Sequence, residues 1–263
     1  MLTPADLIRR AAAKGVRLLA LTDHDETGGL DEASRATCGL DVVLIPGVEI
    51  SAAWQSQSVH VLGLDIDPCA LPLSKGLAAI RRLRSERAVM IAGKLESVGI
   101  TGSLAGAMRH AGGSAALGRN HFARYLVEHK HARNPNDAFH RYLGTDRIAY
   151  APLRWPDIEQ AVDWIHCAGG QAVLAHPDRY RLTPIAMQRL FEDFAKAAGD
   201  AIEITSAERF KLSPLILLAR KFGFALSSGS DFHAAGKNVP DLGQVTQIPS
   251  GERPLSLRLR SSR

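Results

Sequence analysis

"VRLLALTDHDETGG", residues 16–29, opens as a near-continuous apolar run and then turns abruptly into acid, imidazole and acid, Asp23-His24-Asp25, before a glycine pair. The apolar run reads as a strand buried on both faces, as strands of a parallel sheet are. The three titratable groups are costly to bury and pack poorly. Placed where a buried strand surfaces, they suit a metal ion or a proton. If other strands end the same way, the chain is an α/β protein with one polar rim.

The segments on either side repeat the pattern. "LTPADLIRRAAAKG" (2–15) reads as a helix with Thr3 as N-cap, Pro4 in the first turn and Gly15 as terminator. "GLDEASRAT" (29–37) is a short helix, "VVLIPGVEIS" (42–51) a second strand and "SVHVLGLDI" (58–66) a third. From about residue 70 to 148 the text becomes helical, rich in Arg and Ala. Alternation then resumes: helix 156–170, strand "QAVLAHP" (171–177), helix 183–199, strand "AIEITS" (201–206), helix 207–223 and strand "FALSSGSDFH" (224–233). Strands alternating with helices predict an α/β fold with a mostly parallel sheet. The expected division is a barrel from residues 1–69 and 149–250, an all-helical insertion over 70–148, and a basic tail over 251–263.

Composition narrows the class without deciding it. The chain has 263 residues, 46% hydrophobic and 22% charged, enough for one large domain or a domain with an insertion. No window approaches ~18 uninterrupted apolar residues, so no membrane span is expected. The N-terminus lacks the plan of a secretory signal. Cys38, Cys69 and Cys167 have no paired spacing, which predicts buried thiols in a reducing, cytoplasmic setting. Of the net charge of +5, +3 sits in the last thirteen residues, "GERPLSLRLRSSR", and such an end usually stays solvated. Charge is therefore a weak argument for an anionic partner, apart from the local run "RRLRSER" at 81–87.

The strand ends are more informative. The first strand delivers Asp23, His24 and Asp25, the second Glu49, the third His60; later ones deliver His176, then Thr205 and Ser206, then Asp231 and His233. Ligands of parallel α/β sheets and barrels bind at the carboxyl ends of strands, where the loops converge. Any one of these residues has a bland reading as a turn, cap or satisfied surface pair. Independent structural roles would not repeat at every strand end. Mixed imidazole and carboxylate donors suit Mn, Fe or Zn. His110, His129, His131, His140 and His166 fall in helical text and are assigned to packing or solvent.

"LALTDHD" followed in order by "PGVEIS", "VHVLGL", "AHP" and "SGSDFH" resembles the PHP family, the phosphoesterases named for polymerase and histidinol phosphatase. The order and spacing are most similar to a bacterial branch that cleaves nucleoside 3′,5′-bisphosphates and trims short RNAs from the 5′ end. The resemblance runs from Leu2 to about His233. It implies a distorted (β/α)7 barrel and divalent metal ions, up to three and often manganese. Carried over residue by residue, it makes His24, Glu49, His60, His176, Asp231 and His233 metal ligands. The Arg-rich helix makes Arg84 and Arg87, three apart on one face, phosphate contacts. "GRNHFARYL" (118–126) makes His121 a substrate contact or proton donor, and Arg119 and Arg124 anion contacts. His176 is a second catalytic candidate, and Arg179 a weaker phosphate candidate. The implied partners are a small phosphorylated nucleotide and short RNA; no protein partner can be identified.

One part of the family pattern is not in this sequence. Ahead of "LTP", members carry a strand reading roughly Asp-Leu-His-x-His and a short loop ending Ser-Asp-Gly, which supply three more ligands. The sequence given starts at Met1-Leu2-Thr3-Pro4. The favoured expectation is that Met1 is an internal methionine and the protein starts upstream; the alternative is a barrel that has lost a metal site. As written, the chain is expected to retain metal poorly and to show little activity. Two rival functions stand beside the phosphoesterase. One is a non-catalytic PHP module that binds a nucleotide, nucleic acid or protein. The other is a related metal barrel that hydrolyses an amide, which would not need the arginine face.

Overall fold

The computed structural model describes residues 2–111, 117–205, 209–234, 236 and 240–257. The chain divides into two compact units, Met1–Ser74 with Pro156–Arg263, and Lys75–Trp155.

The first unit is built on a six-stranded sheet whose strands lie side by side in chain order: β1 (Leu18–Leu21), β2 (Val43–Trp54), β3 (Gln57–Leu64), β4 (Gln171–Leu174), β5 (Ala201–Ile204) and β6 (Ala225–Ser228). It is a mixed sheet of α/β-barrel type. β1 and β2 are parallel, as are β4, β5 and β6, but β3 runs antiparallel to both of its neighbours. The reversal comes from the link between β2 and β3, where only Gln55 and Ser56 separate the paired residues Trp54 and Gln57. A two-residue link makes a hairpin, and Gln55 takes the positive φ, 52°, that such turns use. Gln-Ser carries none of the usual hairpin chemistry, so the sequence did not announce it.

Helices α1 (Pro4–Ala13) and α2 (Leu30–Ala36) pack beside β1, joining Ile8, Leu30 and Ala33 to Leu21 in one buried cluster. The Thr3 hydroxyl caps α1 by accepting from the Asp6 N–H at 3.1 Å, and Gly15 leaves the helix at φ 73°. A second cluster, Ile45, Leu62, Leu64, Val173, Ala175, Ala201 and Ala225, joins the strands to one another. Leu255 and Leu257 pack against it. The expected solvated tail is thus anchored as far as residue 257: Leu226 N–H donates to the Arg253 carbonyl and Leu255 N–H to the Leu226 carbonyl, each at 2.8 Å. Leucines alternating through "PLSL" offered β6 a partner that outweighed the local charge. Residues 258–263 lie outside the described residues.

The second unit is helical, as its periodicity predicted. The chain enters it within α3 (Leu71–Glu96) and continues through α4 (Ser103–Ala111), α5 (Arg119–Glu128), α6 (Pro135–Ala138) and a π-helical turn, Phe139–Leu143. Its core includes Ile91, Leu95, Phe122, Leu126 and Leu143. Each fully buried side chain of this kind contributes roughly 1.5–3 kcal/mol. Back in the first unit, α7 (Ile158–Cys167), α8 (Pro184–Lys196) and α9 (Arg209–Phe222) alternate with β4 to β6. The three cysteines correct an expectation: all are free thiols and all are exposed. Cys38 follows α2, Cys69 precedes α3 and Cys167 ends α7, so each falls where an element surfaces.

Gly47 follows Pro46, the partner of Leu21, at a point of close approach. A Cβ there would lie 2.7 Å from Thr22 Cγ2, 3.0 Å from the Leu21 carbonyl and 3.1 Å from the Gly63 carbonyl. Gly47→Ala should destabilise the protein by about 1–3 kcal/mol, a loss of several degrees in a thermal melt. A second measurement concerns Asp241, which takes a bidentate bond from Arg10 (3.0 and 2.7 Å) and an ion pair from Lys14 at 3.1 Å. The Arg10 bonds hold the Asp241 carboxyl well below the usual carboxylate range, against the opposing effect of burial. A pKa lowered by folding gives stability that is complete above the unfolded value, about 3.9, and is lost as pH falls further. Denaturant titrations should therefore separate wild type from Asp241→Asn most at pH 6, with the gap narrowing steadily as pH falls below about 4.

Candidate metal centre

The site starts from backbone pairing. The parallel register that aligns Leu21 with Pro46 continues past the end of β1, bringing His24 opposite Glu49. Glu49 N–H donates to the Asp23 carbonyl at 3.1 Å, and Asp25 N–H to the Glu49 carbonyl at 2.9 Å. Asp25 is wholly buried, and its carboxylate accepts from Ser51 N–H at 2.7 Å and from Ser51 Oγ at 3.0 Å. This settles what the acid after His24 does: Asp25 fastens the loop to β2, and His24 faces Glu49 with Nδ1 3.6 Å from Oε2.

The hairpin brings the next imidazole. Glu49 pairs with Leu62 and Ser51 with His60, so Glu49 and His60 are diagonal neighbours on one face. His60 Nδ1 lies 2.8 Å from Glu49 Oε1. His176, just past β4, places Nε2 3.1 Å from the same oxygen and 3.3 Å from His60 Nδ1. The His233 ring stands 5.9 Å from the His24 ring. Asp231 forms an ion pair with Arg179, which is where that weaker candidate goes, and lies 3.5 Å from His233 Nδ1. All six residues named as metal ligands thus gather in one place within the first unit. Ligand atoms of His24, Glu49 and His60 lie within 4.8 Å of one another.

The electrostatics follow from a buried acid among imidazoles. Burial alone would raise the Glu49 carboxyl pKa. Hydrogen bonds from His176 and His60, with the charges of His24 and His60, prevail and hold it well below the usual range. Burial would likewise lower His176, but its bond to Glu49 and the charges of Glu49, Glu203 and Asp231 raise it. Buried His176 Nδ1 has no hydrogen-bond partner among the described residues. A stranded ring nitrogen beside a carboxylate and two more imidazoles fits a divalent cation of the Mn, Fe or Zn kind. The backbone is strained at the same place: Asp25, His176 and Asp231 hold φ of 54°, 32° and 47°. Such conformations cost about 1–3 kcal/mol each and cluster at functional sites.

Several contributors escaped the sequence reading. Tyr180 lies under the site, its hydroxyl oxygen accepting from His60 N–H at 2.9 Å and its ring 5.6 Å from that of His176. Thr205, which was singled out, does not reach the cluster; its hydroxyl donates to Asp178 at 2.7 Å and so ties β5 to the turn after His176. Ser206 lies outside the described residues. Glu203 is buried in β5 and accepts from His176 N–H at 3.1 Å. Burial, opposed by His176 and aided by the charges of Glu49 and Asp231, pushes its carboxyl up to about 7. The signal for Glu203 was present, an acid between isoleucines in "AIEI", the same kind of anomaly that marked Glu49.

In the second unit the arginine candidates lie near one another. Arg87 is half-buried and donates from Nε to the Ala151 carbonyl at 2.8 Å. Burial, with the charges of Arg119 and Arg84, lowers it to about 10, although Tyr150 opposes them. Arg84 sits 4.7 Å over the Trp155 ring, and Arg119 5.6 Å over Phe139. Gly118 N–H donates to His121 Nδ1 at 3.0 Å, leaving Nε2 to carry the proton. Burial first, then the Arg124 charge, lowers the His121 pKa and keeps the ring neutral near pH 7.

A barrel-type sheet whose strand ends converge imidazoles and a carboxylate defines a metal-dependent hydrolase. The comparisons agree on the class. No family model matches the chain. It is 41% identical over 256 residues to a 3′,5′-nucleoside bisphosphate phosphatase of Chromobacterium violaceum, covering 97% of this chain and 90% of that one. To the 5′-3′ exoribonuclease Rnm of Escherichia coli it is 42% identical over 256 residues, covering 95% and 86%. Among solved structures, a sulfate-bound, metal-free protein of C. violaceum described as an amidohydrolase superposes with a TM-score of 0.86 at 41% identity, covering 96% of this chain and 89% of that one. A metal-dependent phosphoesterase from Bifidobacterium adolescentis gives 0.80 at 26% identity, covering 94% and 87%. The chain belongs to the PHP family of metal-dependent phosphoesterases, in the branch of these phosphatases and exoribonucleases.

The role found for Asp25 can be measured. Asp25→Ala removes two buried bonds to a charged acceptor and puts a Cβ residue poorly suited to positive φ at φ 54°. It should cost about 2–4 kcal/mol in thermal or chemical unfolding. Asp25→Asn keeps an acceptor and tolerates that φ, and should lose about half as much.

Proposed function

We propose that the protein hydrolyses a phosphate monoester of a small nucleotide, a nucleoside 3′,5′-bisphosphate, and removes nucleotides from the 5′ end of short RNA. In this reading His24, Glu49, His60, His176, Asp231 and His233 hold divalent cations, with manganese the favoured metal. The observation that carries it is Glu49, buried and ionised, with nitrogens of His60 and His176 2.8 and 3.1 Å from one oxygen. The names of the relatives, a bisphosphate phosphatase and a 5′-3′ exoribonuclease, supply the substrate class.

Bound at these residues, cations would activate water and neutralise phosphate oxygens. The chain's own groups do the rest. Phosphoryl transfer needs positioning and positive charge more than a protein nucleophile. Arg84, Arg87, Arg119 and Arg124 supply charge for the phosphate groups, with Arg87 fixed by its bond to Ala151 and Arg84 by the Trp155 face. His121, neutral and donating from Nε2, gives a hydrogen bond to a phosphate or leaving-group oxygen; with its pKa lowered it is a poor store of a proton at neutral pH. No helix among the described residues is long and apolar enough to cross a membrane. Three exposed free thiols suit a reducing compartment, and the cytoplasm is the proposed location.

A second reading, amide hydrolysis, has the description of the C. violaceum structure in its favour. The arginines separate the two, since an amide substrate gives four guanidinium groups nothing to hold. A chain carrying the Asp-Leu-His-x-His strand and the Ser-Asp-Gly loop ahead of Leu2 should, with Mn2+, release phosphate from adenosine 3′,5′-bisphosphate and stop when EDTA is added. Arg87→Ala should lower kcat/KM about 10- to 100-fold, chiefly through KM, as expected for losing one charge-assisted contact. An enzyme that cleaves amides, or one indifferent to Arg87, would contradict the proposal.

A further inference from the structure

Glu203 has no part in the chemistry proposed above, yet it occupies the space between two of the site's loops. It is 6% exposed, on a strand whose other residues are apolar. One carboxylate oxygen, Oε2, accepts from His176 N–H at 3.1 Å. The other, Oε1, lies against Gly229, where an added Cβ would be only 2.1 Å away. Gly229 follows β6 directly and precedes Asp231 by two residues, while His176 follows β4 by two. The carboxylate therefore spans from the stretch that carries His176 to the stretch that carries Asp231. Both of those residues sit at positive φ, 32° and 47°, a conformation that an L residue keeps only when its surroundings fix it.

We propose that Glu203 is a positioning residue of the metal centre: through the His176 N–H bond and its packing on Gly229, it holds His176 and Asp231 in the strained conformations that aim them at the site. It touches neither cation nor substrate. Gly229 is part of the same device, because only a hydrogen at that position leaves room for the carboxylate. The inference rests on reading His176 and Asp231 as metal ligands. Partners that orient ligands in this way commonly set metal affinity by about 10- to 100-fold.

The test uses the protein with the family's Asp-Leu-His-x-His strand and Ser-Asp-Gly loop ahead of Leu2, and Mn2+ as the probe, with Glu203→Ala, Glu203→Gln and Gly229→Ala. Three quantities are read: Mn2+ affinity by equilibrium dialysis, the melting temperature in EDTA, and kcat and KM separately. Glu203→Ala should weaken Mn2+ binding by about 10- to 100-fold and lower kcat with little change in KM. Glu203→Gln keeps an acceptor for His176 N–H and should restore most of both. Gly229→Ala leaves the carboxylate in the chain but displaces it, so it should behave as Glu203→Ala. Wild-type Mn2+ affinity in Glu203→Ala and Gly229→Ala would overturn the inference and leave the phosphoesterase reading intact. Equal losses in Glu203→Ala and Glu203→Gln, in step with the EDTA melting temperature, would overturn it in favour of a simple packing role. If wild type itself binds no Mn2+ and releases no phosphate, the metal reading fails, and the inference falls with it.

Discussion

A carboxylate withdrawn from water is tolerable only beside positive charge or hydrogen-bond donors, and Glu49 organises the first unit around that requirement. Its neighbours arrive on β1, β3 and the end of β4, so satisfying one acid fixes the relative register of four strands. Removing a buried charge's partners typically costs several kcal/mol. The converse also holds: without the Asp23 and Asp25 backbone bonds to Glu49, the strand ends would have no common reference. At this rim the contacts that hold the strands in register are also those that gather the imidazoles around Glu49.

The tripartite motif at the end of β1 divides its labour accordingly. Asp25 faces inward and closes on Ser51, while His24 faces the cluster. The Asp23 carboxyl is raised by burial and by nearby Glu26. Three adjacent titratable residues are tolerated here because Asp25 is bonded to Ser51 while His24 turns to Glu49. The turn after His176 shows the same economy: Asp178, Arg179 and Tyr180 reach Thr205, Asp231 and His60 N–H respectively. Three consecutive side chains thereby brace three different elements.

What the sequence revealed followed from abrupt changes of polarity. His24, Glu49, His60 and His176 were legible because each interrupts or ends an apolar run, and the six-strand alternation was legible for the same reason. The direction of β3 was not, because it depends on a two-residue Gln-Ser link whose backbone can be read only in three dimensions. The anchoring of residues 252–257 was hidden by arginines that dominate the local charge, while the leucines between them decide the packing. The thiols misled through composition: cysteine is often buried, but these three sit at element ends. Glu203 was masked in the sequence by the hydroxyl residues that follow it, Thr205 and Ser206. Its importance appears only with His176 N–H and Gly229 on either side.

Because β3 is reversed, Leu64 at its end and Gln171 at the start of β4 are direct ladder partners. The chain leaves the sheet on one strand and returns on its neighbour at the same rung, so everything between them is, topologically, the loop of an antiparallel pair. Closing a longer loop grows more costly only as the logarithm of its length, about 0.6 kcal/mol per doubling. The helical part of this excursion, Lys75–Trp155, can therefore be lengthened or trimmed without breaking a ladder bond between β3 and β4.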